Sequence, residues 1–481
     1  MNHAKNSSIQ ALRGIAALFV VVDHTFSQFS AYNPQEGFLG AFLKNTSLLG
    51  PAGVLIFFII SGYIMSMTTQ NKPGGLKSST LFIKKRIYRI YPTYWVWLSV
   101  LIILWLSNLA LRNHDFSIYK ILTSYLLLPY IDNNTTSVGP ILAQGWTLVY
   151  EMFFYITFSL LILIKTDNKT KILAITIIFL IAFFFGKNSI LPSESLNIFL
   201  SNFVLFFFPV GMLIFVLRNK IQKYASHAVA KLTIHLISIF LFFYLVFFID
   251  SSASEAIKIA FSIFIFISFM ISTIKNKILL MIGDASYSIY LSHIFISMCY
   301  GVVSKTNYFP QNVLLAMSVP VIIISVLFGL LSYVTIEKRL HFTPPLLKKV
   351  KKTIIIYFCN KTLPRHIYGG IVSNKTHRMR CAICMQFSNR NGLLHNAVSV
   401  IGLNLNQDVI WLRFRNQKLQ GSKLSGGAVK EIVRTILKLL RFCGTFIAAG
   451  RAAHIHFHHD SSIEYAAGAE PLEIHHTGSF R

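Results

Sequence analysis

The sequence predicts an all-α integral membrane protein: a bundle of about ten transmembrane helices, both termini cytoplasmic, followed by a poorly defined basic C-terminal tail. Composition is the first reason. Of 481 residues, 54% are hydrophobic and only 13% charged, and the mean hydropathy is +0.58, values outside the range of soluble globular chains. The second reason is the recurrence of apolar runs long enough to cross about 30 Å of hydrocarbon. The third is an uneven distribution of Lys and Arg on alternate sides of those runs.

In chain order the runs fall near 9–29, 50–67, 93–111, 146–164, 172–186, 197–217, 232–249, 258–274, 280–303 and 311–333. The first follows Lys5 and contains Arg13, a pattern shared with secretory signals. Asp23 and His24 lie inside it and no small-residue cleavage site follows, so it reads as a retained span. The stretch Ile118–Ile131 is too short to cross and ends in Leu128-Pro129-Tyr130, which suits an interfacial or re-entrant segment.

With the N-terminus inside, cytoplasmic segments of 1–345 hold 19 Lys and Arg residues and outer loops hold six: Lys44, Arg112, Lys120, Lys187, Lys258 and Lys305. Such an asymmetry supports an even number of spans, because one missed or invented span would swap the later loops and blur it.

Two parts are expected: a transmembrane domain, 1–345, and a cytoplasmic basic tail of uncertain order, 346–481. Of the net charge of +28, each contributes +14. Anionic lipid headgroups satisfy the membrane half, and no nucleic-acid partner is expected. The tail has no clear period, Glu431–Leu440 being its one amphipathic stretch. Cys381 and Cys384 lie about 70 residues from His454, His456, His458 and His459, too far for a compact zinc finger, so no metal is expected. Cys299, Cys359 and Cys443 complete a set that makes no disulfide framework.

Ionisable residues inside spans mark functional sites, because hydrocarbon tolerates them only when they are used or paired. Arg13 and His24 are eleven residues apart, about 16 Å and three turns of helix, so they share a face at different depths. A packed, hydrogen-bonded His24 and a snorkelling Arg13 are the plainer alternatives. Asp23 diverges from His24 by about 100° around the helix and is free to pair with another span. Glu151, a lone acid beside Trp146 and Tyr155, must find a cation or a proton.

The loop 68–92 has no acidic residue and contains Lys84-Lys85-Arg86-Ile87-Tyr88-Arg89-Ile90-Tyr91-Pro92. On an interfacial helix Arg86 and Arg89 point the same way and can grip a phosphate. The alternative is a surface anchor with Tyr88, Tyr91, Tyr94 and Trp95 as its aromatic belt. Ser61-Gly62 marks either a close approach to a ligand or a helix contact. Ser286, Tyr287, Tyr290 and His293 share a face, lining an acceptor path or gluing helices together. Intramembrane His, Glu and Arg also suit a proton-coupled transporter or exporter, although no inverted pair of broken helices is evident.

Taken together, Arg13-x10-His24, Phe57-Phe58-Ile-Ile-Ser61-Gly62, Arg86-x-x-Arg89-x-x-Pro92, Trp146-Thr-Leu-x-x-Glu151-x-x-Phe154-Tyr155 and Gly283-x-x-Ser286-Tyr287-Ser-Ile-Tyr290-Leu-x-His293 resemble the membrane-bound acyltransferase family 3, over about residues 7–340. The resemblance implies an O-acyltransferase of the bacterial inner membrane that moves an acyl group, usually acetyl, from cytoplasmic acyl-CoA (acetyl-CoA) to a hydroxyl of a saccharide acceptor. Lipopolysaccharide O-antigen, exopolysaccharide and lipid-linked sugar are the candidate acceptors.

On that resemblance Arg13, Arg86 and Arg89 are expected to bind the coenzyme A phosphates. His24 is expected to act as general base, with Glu151 and Asp23 as carboxylate partners. Ser61, Trp146, Tyr287, Tyr290 and His293 are the expected acceptor-side residues. Whether transfer is direct or passes through an acyl-histidine, and whether the chain forms a homo-oligomer, stay open, and the hydrolase-like domain of some relatives is not expected.

Overall fold

A computed structural model describes residues 7–70, 72–131, 138–164, 166–248, 254–306 and 308–341. The expected tail, with its cysteines, its histidines and Glu431–Leu440, lies outside the described residues. Within them the chain forms α1 (Ser7–Ser30), α2 (Gly37–Thr46), α3 (Leu49–Thr69), α4 (Leu76–Leu106), α5 (Ile118–Leu126), α6 (Gly145–Leu163), α7 (Asn168–Lys187), α8 (Glu194–Leu200), α9 (Phe207–Tyr224), α10 (Ala228–Phe247), α11 (Ser254–Met270), α12 (Lys277–Asp284), α13 (Ser286–Lys305), α14 (Gln311–Ser332) and α15 (Lys338–His341). No strand occurs among the described residues. With no water to bond free main-chain groups, helices that satisfy their own are the economical solution.

Among the described residues, nine helical stretches are long and apolar enough to cross a membrane. The span expected at 258–274 is α11, whose 17 residues rise about 25 Å, slightly short of a bilayer core. The span expected at 280–303 is split, with α12 ending at Asp284 and α13 beginning at Ser286.

The main departure from expectation is α4. It begins at Leu76 and continues through Arg86, Arg89 and Pro92 to Leu106, so the basic cluster rides on the spanning helix and not on a separate interfacial loop. Pro92 removes one backbone donor, which a membrane helix tolerates when neighbours re-satisfy the freed carbonyl. The aromatics around it do not form a simple belt. Tyr91 donates to the Leu126 carbonyl at 2.9 Å, Tyr94 to that of Ser124 at 2.8 Å and Trp95 to that of Tyr125 at 2.8 Å. These carbonyls belong to the last turn of α5, where a helix has no internal donors left. The short segment, nine helical residues long, is thereby pinned to α4.

Caps set other boundaries. Asp167 accepts from the Thr170 and Lys169 N–H groups to start α7, and the Thr170 hydroxyl and N–H hold its carboxyl below the ordinary range. Asn276 starts α12 through the Ile278 and Leu279 N–H groups.

Helix α1 is central, packed against α3, α12, α13 and α14. It runs parallel to α13: Gln10 bonds Asp284 at 2.7 Å near one end, and Gln28 lies against Gly301 near the other. Helix α3 runs the opposite way, its Gly50 beside Asp23 and its Gly53 beside Ala16. Gly62 of α3 and Gly211 of α9 each lie against the other helix's main chain, the close approach that small residues permit in membranes. The Ser61-Gly62 interruption is therefore a helix contact at Gly62.

Candidate functional site

Antiparallel packing gathers charge at one end of the bundle. Half-buried Arg13 is nearly two turns into α1, and Arg89, Glu337, Glu151 and Tyr155 all lie within electrostatic reach of its guanidinium. Helix α4 delivers Arg86 and Arg89. Helices α3 and α6 and the π-helical turn Tyr333–Glu337 that continues α14, running the other way, deliver Ser61, Glu151 and Glu337.

Glu151 accepts hydrogen bonds from Ser61 at 2.8 Å and from the Tyr155 hydroxyl. Its donors are thus two hydroxyl groups, and it makes no ion pair with Arg13. The Arg86 guanidinium lies 5.4 Å from the Phe82 ring centre and 5.5 Å from that of Tyr155, a cation held on aromatic faces. Its buried Nε has no hydrogen-bond partner. Among the described residues none of these three arginines forms an ion pair, whereas Lys258 and Glu255 do so at 2.5 Å.

Further along α1, the His24 ring stacks on that of His293, centres 5.2 Å apart and planes 12° apart. His293 is fully buried, while His24 keeps part of its surface accessible. Tyr290, one turn before His293, shares a hydrogen bond of 2.9 Å with Thr147 and donates to the Gln144 carbonyl at 3.1 Å. Phe57 meets the Tyr290 ring edge-on at 6.0 Å. Tyr287 donates to the Ile90 carbonyl at 2.7 Å, so it ties α13 to the turn of α4 that carries Arg89.

Of the expected site residues, the structure brings Arg13, Arg86, Arg89, Ser61 and Glu151 into one charged group and His24, His293 and Tyr290 into a second along the same helix. Tyr287 joins the two. Asp23 is elsewhere on α1: it accepts from Ser27 at 2.9 Å and lies against Gly50 of α3, as its angular divergence from His24 required. Trp146 rests edge-on against Tyr150, 5.8 Å between ring centres. Asn33, polar enough for a sugar contact, instead donates to the Phe29 and Ser304 carbonyls.

Sequence reasoning passed over Glu337. It ends the π-helical turn Tyr333–Glu337, is 7% exposed and accepts from Ser288 at 2.5 Å. The rule that singled out Glu151, a lone acid in an apolar run, would have found it had the last span not been taken to end at 333. Thr147 and Gln144 carried no such signal, since hydroxyl and amide side chains are ordinary near helix starts.

A family model described as an acyltransferase domain matches residues 6–334. Over 111 residues the chain is 34% identical to the exopolysaccharide production protein ExoZ of Rhizobium meliloti (strain 1021), a stretch covering 23% of this chain and 34% of that protein. Over 155 residues it is 28% identical to acyltransferase MdmB of Streptomyces mycarofaciens, covering 32% of this chain and 38% of that protein. The matched stretches thus span little more than a third of either relative. No solved structure matches the chain. Because the family match takes in every helix of the charged and imidazole groups, from Arg13 to His293, the chain belongs to the membrane-bound acyltransferase family 3.

Proposed function

We propose that this membrane acyltransferase takes an acyl group, acetyl in the simplest case, from acyl-coenzyme A and places it on a hydroxyl of a cell-surface saccharide of a bacterium. The observation that carries the reading is the set of three arginines, Arg13, Arg86 and Arg89, gathered at one end of the bundle without an ion pair among the described residues. Unpaired guanidinium groups in so apolar a setting call for an anion, and the phosphates of coenzyme A supply several. Acyl-coenzyme A is a cytoplasmic metabolite, so this end is the cytoplasmic one, in keeping with the basic bias of the loops. The pantetheine arm then runs along α1 toward His24, over the 16 Å or so that eleven helical residues rise.

His24, partly accessible, takes the proton of the acceptor hydroxyl as its oxygen attacks the thioester carbonyl. A carbon–oxygen bond forms, the carbon–sulfur bond breaks, and the departing thiolate collects the proton, so the step balances without another reactant. Glu151, held by Ser61 and Tyr155, supplies the compensating negative charge beside the arginines. The name of ExoZ, an exopolysaccharide production protein, supports a saccharide acceptor.

The test is free thiol release from acetyl-CoA by the purified full-length protein in the presence of surface polysaccharide. His24→Ala should lower the rate by about 10²- to 10⁴-fold while the unfolding profile stays as in the parent. Equal rates for variant and parent would refute the assignment.

A further inference from the structure

The buried ring of His293 has one nitrogen accounted for and one not. Its Nδ1 lies 3.0 Å from the carbonyl oxygen of Ile289, one turn back on α13. A carbonyl can only accept, so Nδ1 carries the proton and Nε2 of the neutral ring presents a lone pair. That Nε2 is buried and has no donor among the described residues. His24 cannot be the donor, because stacked rings at 5.2 Å and 12° do not present a ring N–H to each other's in-plane lone pair. The Tyr290 hydroxyl is already committed to Thr147 and to the Gln144 carbonyl.

A second acceptor nearby is in the same condition. Gln144 is 3% exposed, its main-chain oxygen is the one reached by Tyr290, and its side-chain Oε1 is buried without a donor. Buried acceptors left unmet are costly and demand a partner. Both residues are neighbours of Tyr290, which bonds the Gln144 carbonyl and whose ring lies 6.2 Å from that of His293, and both acceptors suit a molecule that donates O–H groups.

The reacting hydroxyl cannot meet this need, because its single proton goes to His24. A neighbouring hydroxyl on the same molecule can. We propose that His293 is a specificity-determining residue whose Nε2 receives the hydroxyl adjacent to the one being acylated, so that the acceptor is a vicinal diol and the product its monoester. This rests on the reading of His24 as base toward a hydroxyl acceptor. The stack explains the pairing: with ring centres 5.2 Å apart, hydroxyls on adjacent carbons address one ring each.

The experiment uses the purified full-length protein, acetyl-CoA and a series of methyl glycosides, with thiol release as the rate. The acylated position is located by mass spectrometry. Two analogues are then compared with the parent sugar: one lacking the adjacent hydroxyl, and one with it methylated, which accepts hydrogen bonds but no longer donates one.

The parent protein should prefer the diol over both analogues by on the order of 10- to 100-fold in kcat/KM. In His293→Leu that ratio should fall to near one, and His293→Gln, which keeps an acceptor oxygen, should retain part of it. Each ratio is taken within a single variant, so a merely structural role for His293 would lower all rates together and leave the ratio unchanged. That result, or a parent protein indifferent to the adjacent hydroxyl, overturns the proposal and leaves Nε2 to a bound water. Should His293→Leu fail to fold, the parent's own ratio still decides. Absence of thiol release with every sugar would instead overturn the acyl-transfer reading, and this inference with it.

Discussion

Gly53 on α3 lies between the two halves of the proposed site, and replacing it by Ala tests whether their spacing matters. A β-carbon there would sit 2.6 Å from the Ala16 carbonyl oxygen of α1 and 3.2 Å from a Val20 methyl. Ordinary contact begins at 3.4 Å, so the helices must part by about 0.8 Å, and the obstacle is main chain, which cannot swing aside. Overpacking of this kind costs about 1–3 kcal/mol. The better helix propensity of Ala returns at most about 1 kcal/mol, so the expected net loss runs up to about 2 kcal/mol.

The functional loss should be larger. The hydrogen bond from Ser61 to Glu151, also made from α3, is 2.8 Å long and has roughly 0.4 Å of slack before such bonds weaken. Parting α1 from α3 also moves the His24 helix relative to Glu151, and misplacements near 1 Å lower turnover by roughly 10²-fold. Thermal unfolding in detergent, followed by tryptophan fluorescence, and thiol release on the same sample are the two measurements. Gly139→Ala is the control, since among the described residues a β-carbon there meets Trp146 Cβ alone, at 3.5 Å, and should change neither. A Gly53→Ala protein with the parent's midpoint and rate would refute the claim that α1 and α3 touch main chain to side chain at this level and that their spacing sets the rate.

Two further substitutions probe the charged end. Arg89→Gln should raise the KM for acetyl-CoA by about tenfold or more, in line with loss of a charge-assisted phosphate contact, with little change in unfolding midpoint; an unchanged KM would remove Arg89 from the donor site. Glu151→Gln keeps one acceptor oxygen but cannot hold both Ser61 and Tyr155 with a charged one, so unfolding measurements should show a loss of roughly 1.5–3 kcal/mol; a neutral result would show that these two contacts add nothing to stability.

Much of this was legible in the residues themselves. Helical rise and turn alone placed Arg13 and His24 on one face and sent Asp23 to another, and the structure has Asp23 against α3 and Ser27. The short run after Ile118 was recognisable from its length. The basic cluster was misplaced into a loop because hydropathy drops wherever Lys and Arg concentrate, although main-chain helix geometry continues through them and through Pro92. Glu337 reads as the end of the fold and not as a site residue for the same reason: its polar neighbours Lys338 and Arg339 make the span look finished.

Composition, the spacing of apolar runs and the period of the helix determined that this chain is a helical membrane protein and which side chains share a face, since these follow from local geometry and the cost of exposing the backbone to lipid. Only tertiary packing decided which faces meet. That the His24 and His293 rings, 269 positions apart, stack at 5.2 Å, that Glu151 bonds two hydroxyls instead of an arginine, and that Tyr290 spends its hydroxyl on Thr147 and Gln144 depend on helix pairing. Helix pairing is set by small residues and shape complementarity summed over whole interfaces, information that no short window of sequence contains.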